Sequence, residues 1–219
     1  MPNLPLAVLF DMDGLLVDSE PEWLLAEKEL AASLGISWGV EDQKHCLGGP
    51  LRKVGEYLAT RAGLPIEKGA ELEDQIISMM VERVQGGVNA MPGARELINK
   101  LTSLDIPFAL VSASPRRLVD AALRGTKLSG FATIVAGDEV SRTKPFPDPY
   151  LEAARRLGIS ASDCIVLEDS ATGVAAGLAS GAMVVAIPHL VPILPGDRLQ
   201  VASSLLEVSL EFLTDCFTV

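Results

Sequence analysis

Seven residues, Val8-Leu9-Phe10-Asp11-Met12-Asp13-Gly14, join an apolar run to two carboxylates spaced two apart, then a glycine. A continuous apolar run bounded by turn residues reads as a buried strand, here starting at Leu6 and ending at Phe10. Ligands of α/β sheets bind just beyond the carboxyl ends of such strands. Side chains alternate along a strand, so Asp11 and Asp13 start out pointing the same way. Two carboxylates aimed at one place repel each other. They make sense with a cation between them or with a proton on one of them. Other apolar runs also end in polar groups: Ile106–Val111 in Ser112-Ala113-Ser114, Ala132–Ala136 in Gly137-Asp138-Glu139, and Cys164–Leu167 in Glu168-Asp169-Ser170. Lys144 follows in Arg142-Thr143-Lys144-Pro145. Brought to one sheet edge, acidic oxygens without histidine or thiolate suit a hard cation, Mg²⁺ above others. A small hydroxyl with backbone N–H groups and a fixed ammonium suits a phosphate.

These groups need a scaffold that gathers strand ends. The amphipathic segments Ala94–Leu104, Arg116–Leu123, Asp148–Leu157 and Thr172–Ser180 alternate with the apolar runs, the last of which is Ala182–Ile187. Strands alternating with helical patterns imply a parallel sheet with right-handed crossovers. One connection is too long for a single crossover helix. Between Asp18 and Met91, apolar residues recur at helical spacing in Glu20–Leu34, Leu51–Ala62 and Ala70–Val84, punctuated by Gly35, Gly63-Leu64-Pro65 and Gly86-Gly87. The expected organisation is therefore an α/β core of residues 1–17 and 88–219 with a helical insertion over 18–87. Leaving beside the first strand's carboxyl end, the insertion is placed to act as a lid. Pro188–Pro195 reads as a loop and Leu205–Leu213 as a last helix.

The composition narrows the function classes. With 219 residues, 48% of them hydrophobic and 21% charged, the chain can bury a substantial core. A net charge of −11 argues against a nucleic-acid surface and against long-range attraction of anions. An anionic substrate would need the charge reversed locally. No apolar run is long enough for a membrane span, and no basic segment precedes an apolar one at the N-terminus in the manner of a signal peptide. Cys46, Cys164 and Cys216 are scattered and odd in number, which fits a reducing, cytoplasmic setting. With only His45 and His189 present, a histidine-rich metal centre is excluded.

Taken in order, Asp11-Met12-Asp13-Gly14, Ser112, Lys144 with Pro145, and Glu168-Asp169-Ser170 resemble the four motifs of the haloacid dehalogenase superfamily. Asp18-Ser19-Glu20-Pro21, Ser112-Ala113-Ser114, Lys144-Pro145-Phe146-Pro147-Asp148 and Leu167-Glu168-Asp169-Ser170 are similar to its β-phosphoglucomutase and sugar-phosphate phosphatase subfamily. The resemblance spans nearly the whole chain. It implies a doubly wound parallel sheet with a helical cap after the first strand, and a phosphomonoester hydrolase acting through an aspartyl-phosphate. In that reading Asp11 is the nucleophile and Asp13 the general acid, then base. Mg²⁺ would sit on Asp11, Asp169 and the backbone carbonyl of Asp13, with Glu168 close by, while Ser112, the N–H of Ala113 and Lys144 hold the phosphoryl oxygens. Counting charges assigns a proton to Asp13, because Asp11, Asp13, Glu168 and Asp169 crowd a site that Mg²⁺ and Lys144 only partly neutralise. Cap residues Trp23, Gly49 and Arg52 fall where relatives recognise the substrate; Arg52 could meet the sugar or a distal anion. Trp23 stands where the mutases carry a histidine, which favours a phosphatase over the alternative, a phosphomutase. A phospho-accepting receiver domain shares the aspartate, Mg²⁺, hydroxyl and lysine, but has no long helical insertion.

Plainer roles compete for some residues. Ser114 reads as a helix N-cap before Pro115. Glu168 could simply charge the start of the following helix favourably. Gly173, Gly177 and Gly181 recur every four residues, as close helix–sheet packing would require, without the spacing of a nucleotide-binding loop. The expected partner is a small phosphate ester, with no nucleic acid or membrane, and the expected state a monomer.

Overall fold

Four short apolar segments form the centre of a parallel sheet: β1 (Ala7–Phe10), β2 (Phe108–Val111), β4 (Cys164–Glu168) and β5 (Met183–Ala186). Every residue in these four strands is buried, as expected where both faces of a parallel sheet are covered. The edge strands β3 (Thr133–Val135) and β6 (Leu199–Val201) are shorter and partly exposed. The order is β3-β2-β1-β4-β5-β6, all parallel. The computed structural model describes residues 5–46, 51–189 and 191–217.

Alternation along the strands divides the core in two. Val8, Phe10, Phe108, Leu110, Ile165 and Leu167 face α5 (Ala94–Ser103) and α6 (Arg116–Thr126), and the cluster continues to Leu213 of α9 (Leu210–Asp215). Leu9, Ala109, Val111 and Val166 face α7 (Asp148–Leu157) and α8 (Ala171–Ser180) on the other side. The sequence direction reverses beside β1, whose neighbours are β2 and β4. This is the switch point at which open α/β sheets gather ligands.

Between β1 and α5 lie α1 (Glu20–Ser33), α2 (Val40–Cys46), α3 (Leu51–Arg61) and α4 (Gly69–Gln85). The chain leaves and returns through a paired neck: Asp18 N–H donates to Asn89 O at 3.0 Å, Met91 N–H donates to Leu16 O at 2.9 Å, and Val17 and Ala90 form an antiparallel bridge.

Two elements were not expected, α2 and β6, and one expectation needs correcting, the last helix. α2 lies in a stretch with no helical apolar spacing; Gly39 N–H, just before it, donates to Asp42 Oδ2 at 2.8 Å, and Tyr57 of α3 donates to Asp42 Oδ1 at 2.8 Å. β6 is too short to carry a pattern, and its partner β5 defines it. The last helix is broken: a single 3-10 turn spans Leu205–Glu207, then Ser209 caps α9 by accepting from Phe212 N–H at 3.1 Å.

Candidate active site

The register of β1 against β4 sets the site. Phe10 pairs with Leu167, so the next residues, Asp11 and Glu168, leave the sheet at the same level. Asp11 N–H still donates to Leu167 O at 3.0 Å, which keeps the two chain ends in step. Carboxylate oxygens of Asp11, Glu168 and Asp169 can all lie within 4.8 Å of one another. Lys144 closes the group: its Nζ donates to Asp11 Oδ1, to Glu168 Oε1 at 2.6 Å and to Val111 O at 3.0 Å. All three of its protons are therefore used.

Glu168 is wholly buried, and both its oxygens are occupied. Oε1 accepts from Lys144 and from the Tyr150 hydroxyl at 2.5 Å; Oε2 accepts from Asp169 N–H at 3.2 Å and the Ser170 hydroxyl at 3.1 Å. Its carboxylate thus fixes Lys144. Tyr150 was not among the residues the sequence suggested. In sequence it is one apolar-face position of an amphipathic helix, and nothing marks its hydroxyl as bound for a strand end. Gly173 makes room for this arrangement, since a Cβ there would lie 1.8 Å from Glu168 Oε1. Its glycine therefore lets α8 pack closely on the end of β4, with the Glu168 carboxylate filling the gap. Gly177 likewise packs against the sheet, under Val184 and Val166, whereas Gly181 is the left-handed C-cap of α8. Gly14, at φ 78°, both turns the chain and leaves space for Asp169, whose Oδ2 would lie 2.2 Å from a Cβ.

Asp13 is held apart from that cluster. Ser19 Oγ donates to its Oδ1 at 2.8 Å and Ser114 Oγ to its Oδ2 at 2.9 Å. Ser114 is therefore not the N-cap of α6: Pro115 occupies that position, and the Ser114 hydroxyl positions Asp13 instead. Ser112, fully buried, accepts from Ser114 N–H at 3.0 Å and keeps its own proton to donate. Ala113 lines the cavity beside it.

The electrostatics locate the crowding. Burial, then the charge of Glu168, pushes Asp11 up to about 7 against the pull of Lys144. Burial, then Asp11 and Glu168, pushes Asp169 up to about 9. Burial works against the Lys144 charge, but Asp11 and Glu168 outweigh it and hold the ammonium above its ordinary range. The repulsion expected between Asp11 and Asp13 is present, but the charge of Glu168 weighs more on Asp11, and Asp11 is in turn the carboxylate that weighs most on Asp169. Such a set, all oxygen and short of positive charge, fits a hard divalent cation, with Asp11 and Asp169 the side chains that have oxygens left to offer.

Asp11, Asp13, Asp169 and Lys144 line the floor of one cavity of about 430 Å³. Trp23, Glu27, Arg52 and Glu73, from α1, α3 and α4, line its far wall. Arg52 Nε also donates to Glu56 Oε1 at 2.8 Å. Glu27 and Glu73, like Tyr150, were not singled out in the sequence. Gly49 lies outside the described residues.

Known proteins place these features in context. A family model described as haloacid dehalogenase-like hydrolase matches residues 8–187. Hexitol phosphatase B of Escherichia coli K12 is 30% identical over 189 residues, covering 85% of each chain. Protein CbbY of Rhodobacter capsulatus is 34% identical, covering 83% of this chain and 85% of its own. Among solved structures, CbbY from Rhodobacter sphaeroides in complex with phosphate superposes with a TM-score of 0.76 at 26% identity, over 94% of this chain and 96% of that one.

Proposed function

The chain belongs to the haloacid dehalogenase-like hydrolases, and from that premise we propose that it is a Mg²⁺-dependent phosphatase of small phosphorylated metabolites, sugar or polyol phosphates. The observation that carries this is Asp11 at the end of the central strand, ion-paired to a saturated Lys144, level with Glu168 and within reach of Asp169. The similarity to hexitol phosphatase B over 85% of both chains supports the substrate class.

Asp11 attacks phosphorus through a carboxylate oxygen, the bond to the leaving alcohol breaks, and an aspartyl-phosphate remains. Asp13, held by Ser19 and Ser114, gives its proton to that alcohol and then takes one from the water that cleaves the phosphoenzyme. Lys144 sits against the attacking carboxylate, where charge on the transferring oxygens must be met. Ser112 and the N–H of Ala113 are the remaining donors. Asp11, Asp169 and the Asp13 carbonyl would hold Mg²⁺, which when bound supplies the charge that keeps both carboxylates ionised. Residues 18–87 form the cap that covers the site and excludes water during transfer.

The test is Asp11→Asn against a panel of phosphomonoesters with Mg²⁺ present. Turnover should fall on the order of a thousandfold or more, as for other nucleophile removals. Full turnover in the variant would mean that another group attacks phosphorus.

A further inference from the structure

The phosphate end of the cavity is described above; its far wall decides what the rest of the substrate can be. Among the described residues, seven acidic ones line the cavity, namely Asp11, Asp13, Glu20, Glu27, Glu73, Asp138 and Asp169, against two bases, Arg52 and Lys144. Lys144 is consumed at the floor. Arg52 is bonded to Glu56 at 2.8 Å and also feels Glu73. The four residues between α2 and α3, Leu47-Gly48-Gly49-Pro50, carry no charge.

Glu27 is the informative member. It lies on α1, is only 7% exposed, and is still part of the cavity wall beside Trp23 and Leu24. Glu73 of α4 lines the same cavity. Burial pushes Glu27 up to about 7, so above that pH it is a carboxylate that accepts hydrogen bonds from hydroxyl groups and donates none. A second anion brought against it meets a like charge in a partly buried place, where solvent screens little. Gln43, also in the wall, can both accept from and donate to a hydroxyl.

We propose that Glu27, with Glu73, is a specificity-determining residue that selects monophosphates with an uncharged, hydroxyl-bearing far end and rejects those with a second anionic group. The assignment rests on the phosphatase reading above. Arg52 then serves to neutralise the cap's own carboxylates and is not a receptor for a distal anion.

A matched pair of esters tests this. Sorbitol 6-phosphate and 6-phosphogluconate share chain length and phosphate and differ at the far carbon, a hydroxymethyl in one and a carboxylate in the other. p-Nitrophenyl phosphate reports hydrolysis without any such arm. Measured well above pH 7, where Glu27 is ionised, the full chain with Mg²⁺ should favour the hexitol ester in kcat/KM on the order of a hundredfold, the scale of a like-charge juxtaposition. Glu27→Gln should narrow that ratio about tenfold, and Glu73→Gln should narrow it less, because removing one of several charges relieves part of the repulsion. A purely structural role would lower both esters together and leave the ratio in place. A wild-type ratio near one, or a preference for the phosphogluconate, overturns the inference and gives Arg52 the anion. A ratio unmoved in both variants also overturns it. If p-nitrophenyl phosphate alone is turned over, the phosphatase reading stands and this one falls; if none of the three is hydrolysed, both fall.

Discussion

Asp11 and Asp169 share a difficulty that a cation or a proton must resolve. Their folded-state pKa values, about 7 and about 9, lie above the ordinary carboxylate value of 3.8, mainly through burial. A raised carboxylate adds stability in full below its unfolded value and loses it as pH rises through the folded value. Metal-free protein should therefore lose stability between about pH 4 and pH 9, read as a falling denaturant midpoint. Saturating Mg²⁺ should flatten that decline. At pH 7, Asp169 is protonated and Asp11 about half so, and calorimetry in buffers of different ionisation enthalpy should show roughly one to two protons released on Mg²⁺ binding; no release would place the cation elsewhere. Tyr150 offers a second check. Its hydroxyl is one of the donors to the buried Glu168 carboxylate, and a hydrogen bond to a charged group contributes about 1.5–3 kcal/mol. Tyr150→Phe should cost about that much in urea unfolding, and should reduce turnover less than Asp11→Asn does, since Lys144 still reaches Asp11.

At the scale of elements, the junction of β4 with α8 joins the sheet to the chemistry. Ser170 does two jobs there. It caps α8 by accepting from Gly173 N–H at 3.1 Å, and it donates to Glu168 Oε2 at 3.1 Å. The two bonds tie the first turn of the helix to the carboxylate that fixes Lys144. Loss of an N-cap costs about 1 kcal/mol, so Ser170→Ala should destabilise by at least that. Gly173→Ala should do more. The added Cβ would meet the Glu168 carboxylate with strand on one side and helix on the other, so Glu168 must move and take Lys144 with it. The expected outcome is loss of activity in a variant that still folds; retained activity would show that Glu168 need not be where it is for Lys144 to act.

The whole molecule repels the substrate that its site accepts. A net charge of −11 surrounds a site meant for a phosphate dianion. Raising ionic strength from 0.01 M to 0.15 M shortens the screening length from about 30 Å to about 8 Å. With Mg²⁺ saturating, kcat/KM for a phosphomonoester should rise over that range by about threefold, the opposite of an electrostatically steered enzyme. A fall would show that the metal-loaded site governs the approach. The insertion shapes the encounter too. It enters and leaves through the single neck at Val17 and Ala90, so one crossover both covers the site and brings the acidic wall of the cavity to it.

Local chemistry sufficed to read the strand ends, the separate carboxylates Asp11 and Asp13, the partners Ser112, Lys144, Glu168 and Asp169, and the long helical insertion, because apolar runs and turn residues carry these within a few positions. That same pattern pointed to the parallel sheet, while the resemblance of the four ordered motifs pointed to the family. The fold alone decided the rest. The switch point beside β1 exists only once β4 pairs there, and that pairing sets Glu168 and Asp169 beside Asp11, where the charge of Glu168 weighs on it more than that of its near neighbour Asp13. Tyr150 and Gly173 serve Glu168 from helices on the far side of the sheet, and Ser114 turns from its own helix to Asp13, 101 residues away. β6 and α2 have too little pattern to announce themselves; each is held by groups distant in sequence. Hydrophobic periodicity records which face of an element is buried, whereas the contacts that position a hydroxyl, a Cβ-free gap or a second carboxylate arise only when separate elements meet.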